Sequence, residues 1–338
     1  ERNRINVRVK NKKFRRFMNA TQFMIFSNNM EYDNDSVVPL QGAFYSPGSS
    51  SSAVFNCFRE EDNLIFDRRN ILDEVVERFI LKDNNLAAIK DSPEYTTNKS
   101  ATKPTNRIIS SLLSRDRLAI ILRYGLVYVD DVNGISNHIM RYPQLFATLA
   151  IERAIDRGTK KGIIWHTQGS GKTALAYFNV AYLTNYFHQL NIVPKFYFVV
   201  DRLDLMTQAQ GEFENRGLRV KIANSKEDFV KNITSLGAIE NDSGENEITV
   251  VNIQKFSEDS KATKQTDYDI NVQRVYFLDE VHRSYNPRGS FLANLLSSDT
   301  NAIFIGLTGT PLINQTLKAE GGQKAVTFNS KDVFGEYI

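Results

Sequence analysis

The residues most suited to chemistry lie in one stretch, His166-Thr167-Gln168-Gly169-Ser170-Gly171-Lys172-Thr173. Its two glycines allow a tight turn that brings several backbone N–H groups towards one anion. Lys172 can reach the β- and γ-phosphates of a nucleotide, and the Thr173 hydroxyl can bind Mg²⁺. The stretch therefore predicts a phosphate-binding loop for ATP and Mg²⁺, although His166 stands where the usual pattern opens with Gly. The residues predicted to bind the nucleotide here are Gln168, Gly169, Ser170, Gly171, Lys172 and Thr173.

An acidic pair begins the string Asp279-Glu280-Val281-His282. Asp279 can hold Mg²⁺ through water, and Glu280 can orient and deprotonate an attacking water molecule. The same pair could be an ordinary acidic turn at the end of a strand. Its position downstream of a phosphate-binding loop favours catalysis, with Lys172, Asp279 and Glu280 as the catalytic residues and Thr173 and Asp279 as the metal-binding ones.

These residues need strands and helices that hold them at one edge of a sheet. The short apolar run 162–165 before the loop is typical of a strand, and residues 174–178 after it are typical of a helix opening. Further apolar runs occupy 196–200, 248–251, 275–278 and 302–307. Because helical stretches separate these runs, we predict an α/β domain with a mostly parallel sheet, whose ligands lie at the carboxyl ends of the strands.

The part of the chain before residue 103 has a different pattern. Strands are predicted at 21–27 and near 53–58, and a helix at 71–82. The polar stretch 83–105 contains Pro93 and Pro104 and is predicted to be a linker, after which helical spacing resumes at 108–124. We therefore divide the chain into domains 1–102 and 103–338, with the boundary near Thr102.

Composition and charge narrow the class of protein. The chain has 338 residues, 41% of them apolar, which is enough for a buried core, and none of its apolar runs is long enough to span a membrane. Cys57 is the single cysteine, so an internal disulfide is excluded and the cytoplasm is the expected compartment. The net charge is only +3, but basic residues crowd positions 2–16 and could meet nucleic acid or form a solvated face. The chain opens on Glu1, which suggests a fragment.

Longer strings resemble known families. Asp-Glu-x-His at 279–282 looks like the DEAH box of superfamily 2 helicases and translocases, and Thr-Gly-Thr-Pro at 308–311 resembles their motif III. The strings at 141–144, 166–173, 200–205, 279–284 and 306–312 are similar to the restriction (R) subunit of type I restriction-modification enzymes, which also has His at the place of His166. The resemblance implies a RecA-like P-loop ATPase domain at 103–338, preceded by the partial remainder of an α/β nuclease domain at 1–102.

The same resemblance implies roles for residues outside the phosphate-binding loop. Gln144 would recognise adenine, although an ordinary surface glutamine is the alternative. Asp201, Arg202, Gln254 and Lys255 would lie on the DNA side of the domain, where ordinary surface polarity is again the alternative. The residues expected to couple the ATP and DNA sites are His282, Thr308 and Thr310.

For the whole protein, the resemblance implies ATP-driven translocation on double-stranded DNA and DNA cleavage, in a complex with modification and specificity subunits. The family's nuclease residues include a Glu-x-Lys, which does not occur in this sequence. A second RecA-like lobe carrying the arginine finger would follow Ile338. The segment alone is therefore expected to hydrolyse ATP poorly.

Three other functions stay open on the sequence: a superfamily 2 DNA or RNA helicase without nuclease function, a P-loop kinase, and a non-enzymatic DNA-binding scaffold. A kinase has no need for Asp-Glu-x-His followed by Thr-Gly-Thr-Pro. DNA-stimulated ATP hydrolysis by the intact protein would exclude the scaffold. Clean strand separation would favour the helicase over the translocase.

Overall fold

The boundary between the two structural units lies later in the chain than predicted. The computed structural model describes residues 2–31, 41–48, 53–61, 73–167, 169–234, 245–253, 272–280, 291–309, 315–317, 326–328, 331 and 334–338. It divides into Glu1–Tyr142 and Pro143–Ile338, rather than near Thr102. Residues 103–142 belong with the first unit because Ile108 and Leu112 are buried in it and the Tyr45 hydroxyl donates to the carbonyl of Met140 at 2.9 Å. The origin of this unit as a nuclease-domain remainder stays a prediction.

The first unit combines short helices with small antiparallel sheets. Its elements are α1 (Arg2–Lys10), α2 (Arg15–Ala20), β1 (Phe23–Ser27), β2 (Ala43–Pro47), β3 (Asn56–Phe58), α3 (Glu74–Asp83), α4 (Pro93–Asn98), α5 (Pro104–Ser111), α6 (Arg115–Ile120), β4 (Leu126–Asp131) and β5 (Gly134–Ile139), with a 3-10 turn at Ala87–Ile89 and a π-helical turn at Ile121–Gly125. One sheet has the order β1-β2-β3, and β4 pairs with β5 as a hairpin. The helix predicted at 108–124 is therefore divided between α5, α6 and the π-helical turn.

The polar stretch predicted to be a linker contains α4. Ser92 caps this helix, since its hydroxyl accepts the backbone N–H of Tyr95 at 3.2 Å. Glu77 of α3 is buried, and its carboxylate accepts hydrogen bonds from the Tyr95 hydroxyl at 2.9 Å and from Lys99 Nζ at 2.6 Å. The linker prediction was wrong because this stretch is held by a cap and a polar cluster, neither of which needs an apolar run.

The second unit is built on a seven-stranded sheet. Its elements are α7 (Tyr142–Asp156), β6 (Lys161–Trp165), α8 (Lys172–Gln189), β7 (Val193–Val200), α9 (Leu203–Glu214), β8 (Arg219–Ala223), α10 (Lys226–Thr234), β9 (Glu247–Asn252), β10 (Val272–Asp279), α11 (Phe291–Ser298), β11 (Ile303–Thr308), β12 (Gln315–Leu317), β13 (Val326–Phe328) and β14 (Glu336–Tyr337). The sheet has the order β14-β6-β11-β10-β7-β9-β8, and every neighbouring pair is parallel. The predicted α/β fold with a mostly parallel sheet is confirmed.

Burial on both faces explains why the central strands read as continuous apolar runs. The rings of Tyr197, Tyr276 and Phe304 stack across three adjacent strands, with centroids 4.7 and 4.9 Å apart. At the start of β10, Arg274 forms a buried bidentate ion pair with Asp299 at 2.5 and 2.8 Å.

Among the described helices, none combines the length and the apolar character needed to cross a membrane.

Candidate active site

The phosphate-binding loop joins the carboxyl end of β6 to the start of α8. Gly169 and Gly171 have φ of 76° and 84°, a left-handed conformation that only glycine adopts without strain. Gly171 directly precedes α8, so the unpaired N–H groups of the first helical turn point towards the loop. Lys172 is the first helical residue. This geometry is suited to binding an anion, and the nucleotide-binding role of the loop stays a prediction. Gln168 lies outside the described residues.

Gln144 lies in α7 and contacts the same loop. Its side chain is 2% exposed, and Nε2 donates a hydrogen bond to the carbonyl of Gly171 at 2.9 Å. It is therefore not a surface glutamine, which was the alternative interpretation. The contact with the loop is compatible with the predicted adenine recognition, which stays a prediction.

Asp279 and Glu280 lie at the carboxyl end of β10, a central strand of the sheet. β11 lies between β6 and β10, and the register pairs Thr308 with Trp165 and Asp279 with Leu307. The carboxyl ends of these three neighbouring strands therefore meet at one edge. This arrangement brings Asp279 and Glu280 to the phosphate-binding loop, although they are distant from it in sequence.

The carboxylate of Glu280 joins the loop to the end of β11. It accepts hydrogen bonds from Lys172 Nζ at 3.0 Å, from the Thr308 hydroxyl at 3.2 Å and from the backbone N–H of Gly309 at 2.6 Å. The Lys172 and Glu280 side chains are only 11% and 19% exposed, so this ion pair is weakly screened by solvent. Lys172, the residue predicted to bind phosphate, thus forms an ion pair with Glu280, the predicted general base.

The backbone of Glu280 is strained. Its φ of 54° is left-handed, which is uncommon for a residue with a side chain and costs about 1–3 kcal/mol. The N–H of Glu280 donates to the carbonyl of Leu307 at 3.0 Å, and this bond with the carboxylate contacts holds the conformation. Strain of this kind is concentrated at functional sites, because the surrounding structure must maintain it.

Asp279 is buried beside the loop and has free coordinating capacity. The pKa of Asp279 is raised to about 6, mainly by burial; Lys172 lowers this pKa and Glu280 raises it, each by a smaller amount. Within the part of the chain that the structure describes, Asp279 Oδ1 and the Ser170 hydroxyl are buried and lack a hydrogen-bond partner. A carboxylate and a hydroxyl, here that of Thr173 in the first turn of α8, are oxygen ligands of the kind that Mg²⁺ prefers, so these residue types fit that ion.

Of the other predicted site residues, some lie in the described part of the chain and some lie outside it. Asp201 and Arg202 directly follow β7 at the same edge of the sheet, and the exposed Arg202 pairs with Asp204, Nε to Oδ1 at 3.1 Å. Thr308 ends β11 and contacts Glu280. The predicted residues that lie outside the described part are Gln168, Gln254, Lys255, His282 and Thr310.

Gly309 lies within the Thr-Gly-Thr-Pro string but was not among the predicted site residues, although its N–H makes the shortest of the hydrogen bonds to Glu280 described above. A backbone donor leaves no side-chain pattern in a sequence. The available signal was its place directly after Thr308 at a strand end, where unpaired N–H groups face the site.

Comparison with known proteins agrees with this geometry. A family model described as SWI2/SNF2 ATPase matches residues 143–338. A putative type I restriction enzyme MjaVIIIP endonuclease subunit of Methanocaldococcus jannaschii is 29% identical over 229 residues, covering 60% of this chain and 21% of that protein. A type I restriction enzyme SauCOLORF180P endonuclease subunit of Staphylococcus aureus is 27% identical over 276 residues, covering 79% and 27%. The chain thus spans about a fifth to a quarter of the length of these relatives.

A solved structure is also similar, the ATP-dependent type ISP restriction-modification enzyme LlaBIII bound to DNA. It is 17% identical, covers 59% of this chain and 15% of that one, and has a TM-score of 0.38. The names of the curated relatives confirm the resemblance to type I restriction subunits that the sequence strings predicted.

Proposed function

Because the chain belongs to the SWI2/SNF2 ATPase family, we propose that it is the ATP-driven motor of a type I restriction endonuclease, coupling hydrolysis to translocation on double-stranded DNA and to cleavage. The observation that carries this proposal is the convergence of Lys172, Glu280 and Thr308 on neighbouring strand ends. The names of the relatives favour a restriction subunit over a stand-alone helicase.

The geometry supports a specific division of work in hydrolysis. On nucleotide binding, Lys172 would leave Glu280 for the β- and γ-phosphates, where its charge is better matched. Glu280, still held by Thr308 and Gly309, would then accept a proton from water as the water oxygen attacks the γ-phosphorus. The bond from the γ-phosphorus to the bridging oxygen breaks, and ADP leaves with its electron pair.

Asp279 and Thr173 are the proposed residues for Mg²⁺, with Ser170 facing the phosphates. Bound Mg²⁺ would supply neutralisation of the phosphate charge. No group of three or more His, Cys, Asp and Glu suited to a metal occurs among the described residues. Mg²⁺ keeps several waters and takes few protein ligands beside substrate phosphates, so two oxygen-bearing side chains would be enough to hold it.

The DNA-facing and coupling roles extend this proposal. Asp201 and Arg202, on the same edge of the sheet as the ATP site, are proposed to lie near the DNA backbone, together with Gln254 and Lys255. Thr308, Thr310 and His282 are proposed to couple the two sites. The proposed partners are double-stranded DNA and the modification and specificity subunits, in the cytoplasm.

Lys172→Ala tests the nucleotide site. The variant lacks the cation that meets the phosphates, so affinity for ATP measured by calorimetry should fall about tenfold or more. Lys231→Ala, which removes an exposed lysine from α10, should bind like the wild type. Equal affinities in the two variants would refute the assignment of the loop.

Translocation is tested in the full-length subunit assembled with its proposed partners. We expect displacement of a triplex-forming strand that depends on ATP, without separation of the duplex. Clean strand separation would instead support the helicase without nuclease function, and ATP hydrolysis unaffected by DNA would argue against either motor.

A further inference from the structure

Trp165 occupies an unusual position at the end of β6. It is the sole tryptophan of the chain and is 57% exposed, whereas Ile163 and Ile164 before it are buried. Its ring lies beside Tyr337 of β14, with centroids 6.1 Å apart and planes at 42°. Exposure of this extent means that the indole is not held there by the core, so its polar contact is the feature to explain.

That contact is made with the segment holding the predicted base. The indole Nε1–H of Trp165 donates to the carbonyl of Gly309 at 3.3 Å. The N–H of the same glycine donates to the Glu280 carboxylate at 2.6 Å. Next to it, the backbone N–H of His166 donates to the carbonyl of Thr308 at 3.0 Å. Gly309 is therefore held between the end of β6 on its carbonyl side and Glu280 on its N–H side.

We propose that Trp165 is a positioning residue for hydrolysis, which acts by orienting Gly309 so that its N–H keeps Glu280 in place. The proposal rests on the proposed ATPase function. In the structure Lys172 also holds Glu280, but that contact ends when Lys172 moves to phosphate. The Gly309 N–H then carries more of the work of maintaining the strained left-handed backbone at Glu280.

The effect should fall on turnover rather than on binding. Trp165 does not belong to the phosphate-binding loop, and its link to the reaction runs through Gly309 to the base. Trp165→Phe keeps an aromatic ring beside Tyr337 but lacks the N–H donor. Losing one hydrogen bond of ordinary strength should lower kcat for ATP about three- to tenfold and leave KM nearly unchanged.

The kinetic test compares Trp165→Phe with Tyr337→Phe in the full-length protein. Tyr337→Phe keeps the ring contact and should turn over like the wild type. A Trp165→Phe enzyme with wild-type kcat, or with a raised KM and unchanged kcat, would overturn the proposal. This comparison requires an active wild type. An inactive wild type would refute the proposed function, and the link from Trp165 to Glu280 would then be decided by the quenching test.

A second test needs no nucleotide and keeps Trp165 intact. Removing the carboxylate with Glu280→Ala frees the Gly309 N–H, so acrylamide quenching of the sole tryptophan should increase. Glu214→Ala, which changes an exposed glutamate near the end of α9, should leave quenching unchanged. Equal quenching in both variants would overturn the link from Glu280 to Trp165, even if the wild type is an active ATPase. Increased quenching in a protein that binds no ATP would support the link and refute the proposed function.

Discussion

Glu280→Gln should change the affinity for ATP and the rate of hydrolysis in opposite directions. Glutamine has nearly the same shape as glutamate, so its amide oxygen can still accept the Gly309 N–H, and the Thr308 hydroxyl can rotate to accept from the new amide nitrogen. The change therefore removes a charge while keeping the local structure. We expect ATP to bind more tightly and to be hydrolysed far more slowly.

The size of the binding effect follows from the ion pair at 3.0 Å between Lys172 and Glu280. ATP must draw Lys172 away from this carboxylate. Lys172 stays charged and keeps a hydrogen bond to the amide oxygen of glutamine, but it loses the ion-pair attraction. Surface ion pairs contribute about 0.2–1 kcal/mol, and the limited exposure of this one puts it at the upper end, so releasing Lys172 should cost about 1 kcal/mol less. That difference corresponds to about fivefold tighter binding. Loss of the general base should slow turnover by about 100- to 10,000-fold.

Calorimetry with a non-hydrolysable ATP analogue and Mg²⁺ measures the first effect, and phosphate release by the full-length protein measures the second. Glu214→Gln is the matched control, because it makes the same chemical change on the exposed end of α9 and should alter neither quantity. Wild-type turnover in Glu280→Gln would place the base elsewhere. Weaker binding in that variant would show that the carboxylate assists ATP rather than competing for Lys172.

Three further variants test the buried ion pair of the second unit, its phosphate-binding loop and a contact of Glu280. Asp299→Ala should lower the free energy of unfolding by about 3–5 kcal/mol in urea titration, because Arg274 stays buried without its carboxylate; stability within about 1 kcal/mol of the wild type would contradict this. Gly171→Ala imposes a side chain on a left-handed residue, which should cost about 1–2 kcal/mol in the same titration and weaken ATP binding; a neutral result would mean that the loop readjusts. Thr308→Val removes one hydrogen bond to Glu280 and should lower kcat about three- to tenfold at constant KM, which steady-state kinetics would detect; an unchanged kcat would remove Thr308 from the coupling role.

The strands of the large sheet were predictable where both faces are covered. β6, β7, β9, β10 and β11 all coincide with apolar runs in the sequence. β8 (Arg219–Ala223) was not predicted because it is an edge strand with partly exposed residues.

β2 (Ala43–Pro47), in the small sheet of the first unit, was not predicted either. It is fully buried, yet it contains Ser46 and Pro47, which are typical of turns. Its burial depends on neighbours that are distant in sequence.

The sequence was enough to predict which residues meet at the candidate site, but not the contacts between them. Residue types and spacing identified Lys172, Asp279 and Glu280, since few other patterns place a lysine and two acids after separate strands. The ion pair of Lys172 with Glu280 depends on the register of β10 against β11 and of β11 against β6. The contribution of Gly309 is a backbone N–H, which every residue except proline has, so no residue type could indicate it.

The place of β11 between β6 and β10 has a consequence for coupling. Glu280 follows β10, the phosphate-binding loop follows β6, and Gly309 follows the strand between them, with hydrogen bonds reaching both sides. A ligand that moves the segment after Thr308 must therefore shift the orientation of the base relative to the loop. Energetic coupling between that segment and hydrolysis then requires the displacement of only one residue, because the carbonyl of Gly309 makes one contact and its N–H makes the other. A variant that displaces Gly309 should change turnover and its dependence on DNA together, whereas a variant in the loop should change nucleotide affinity first.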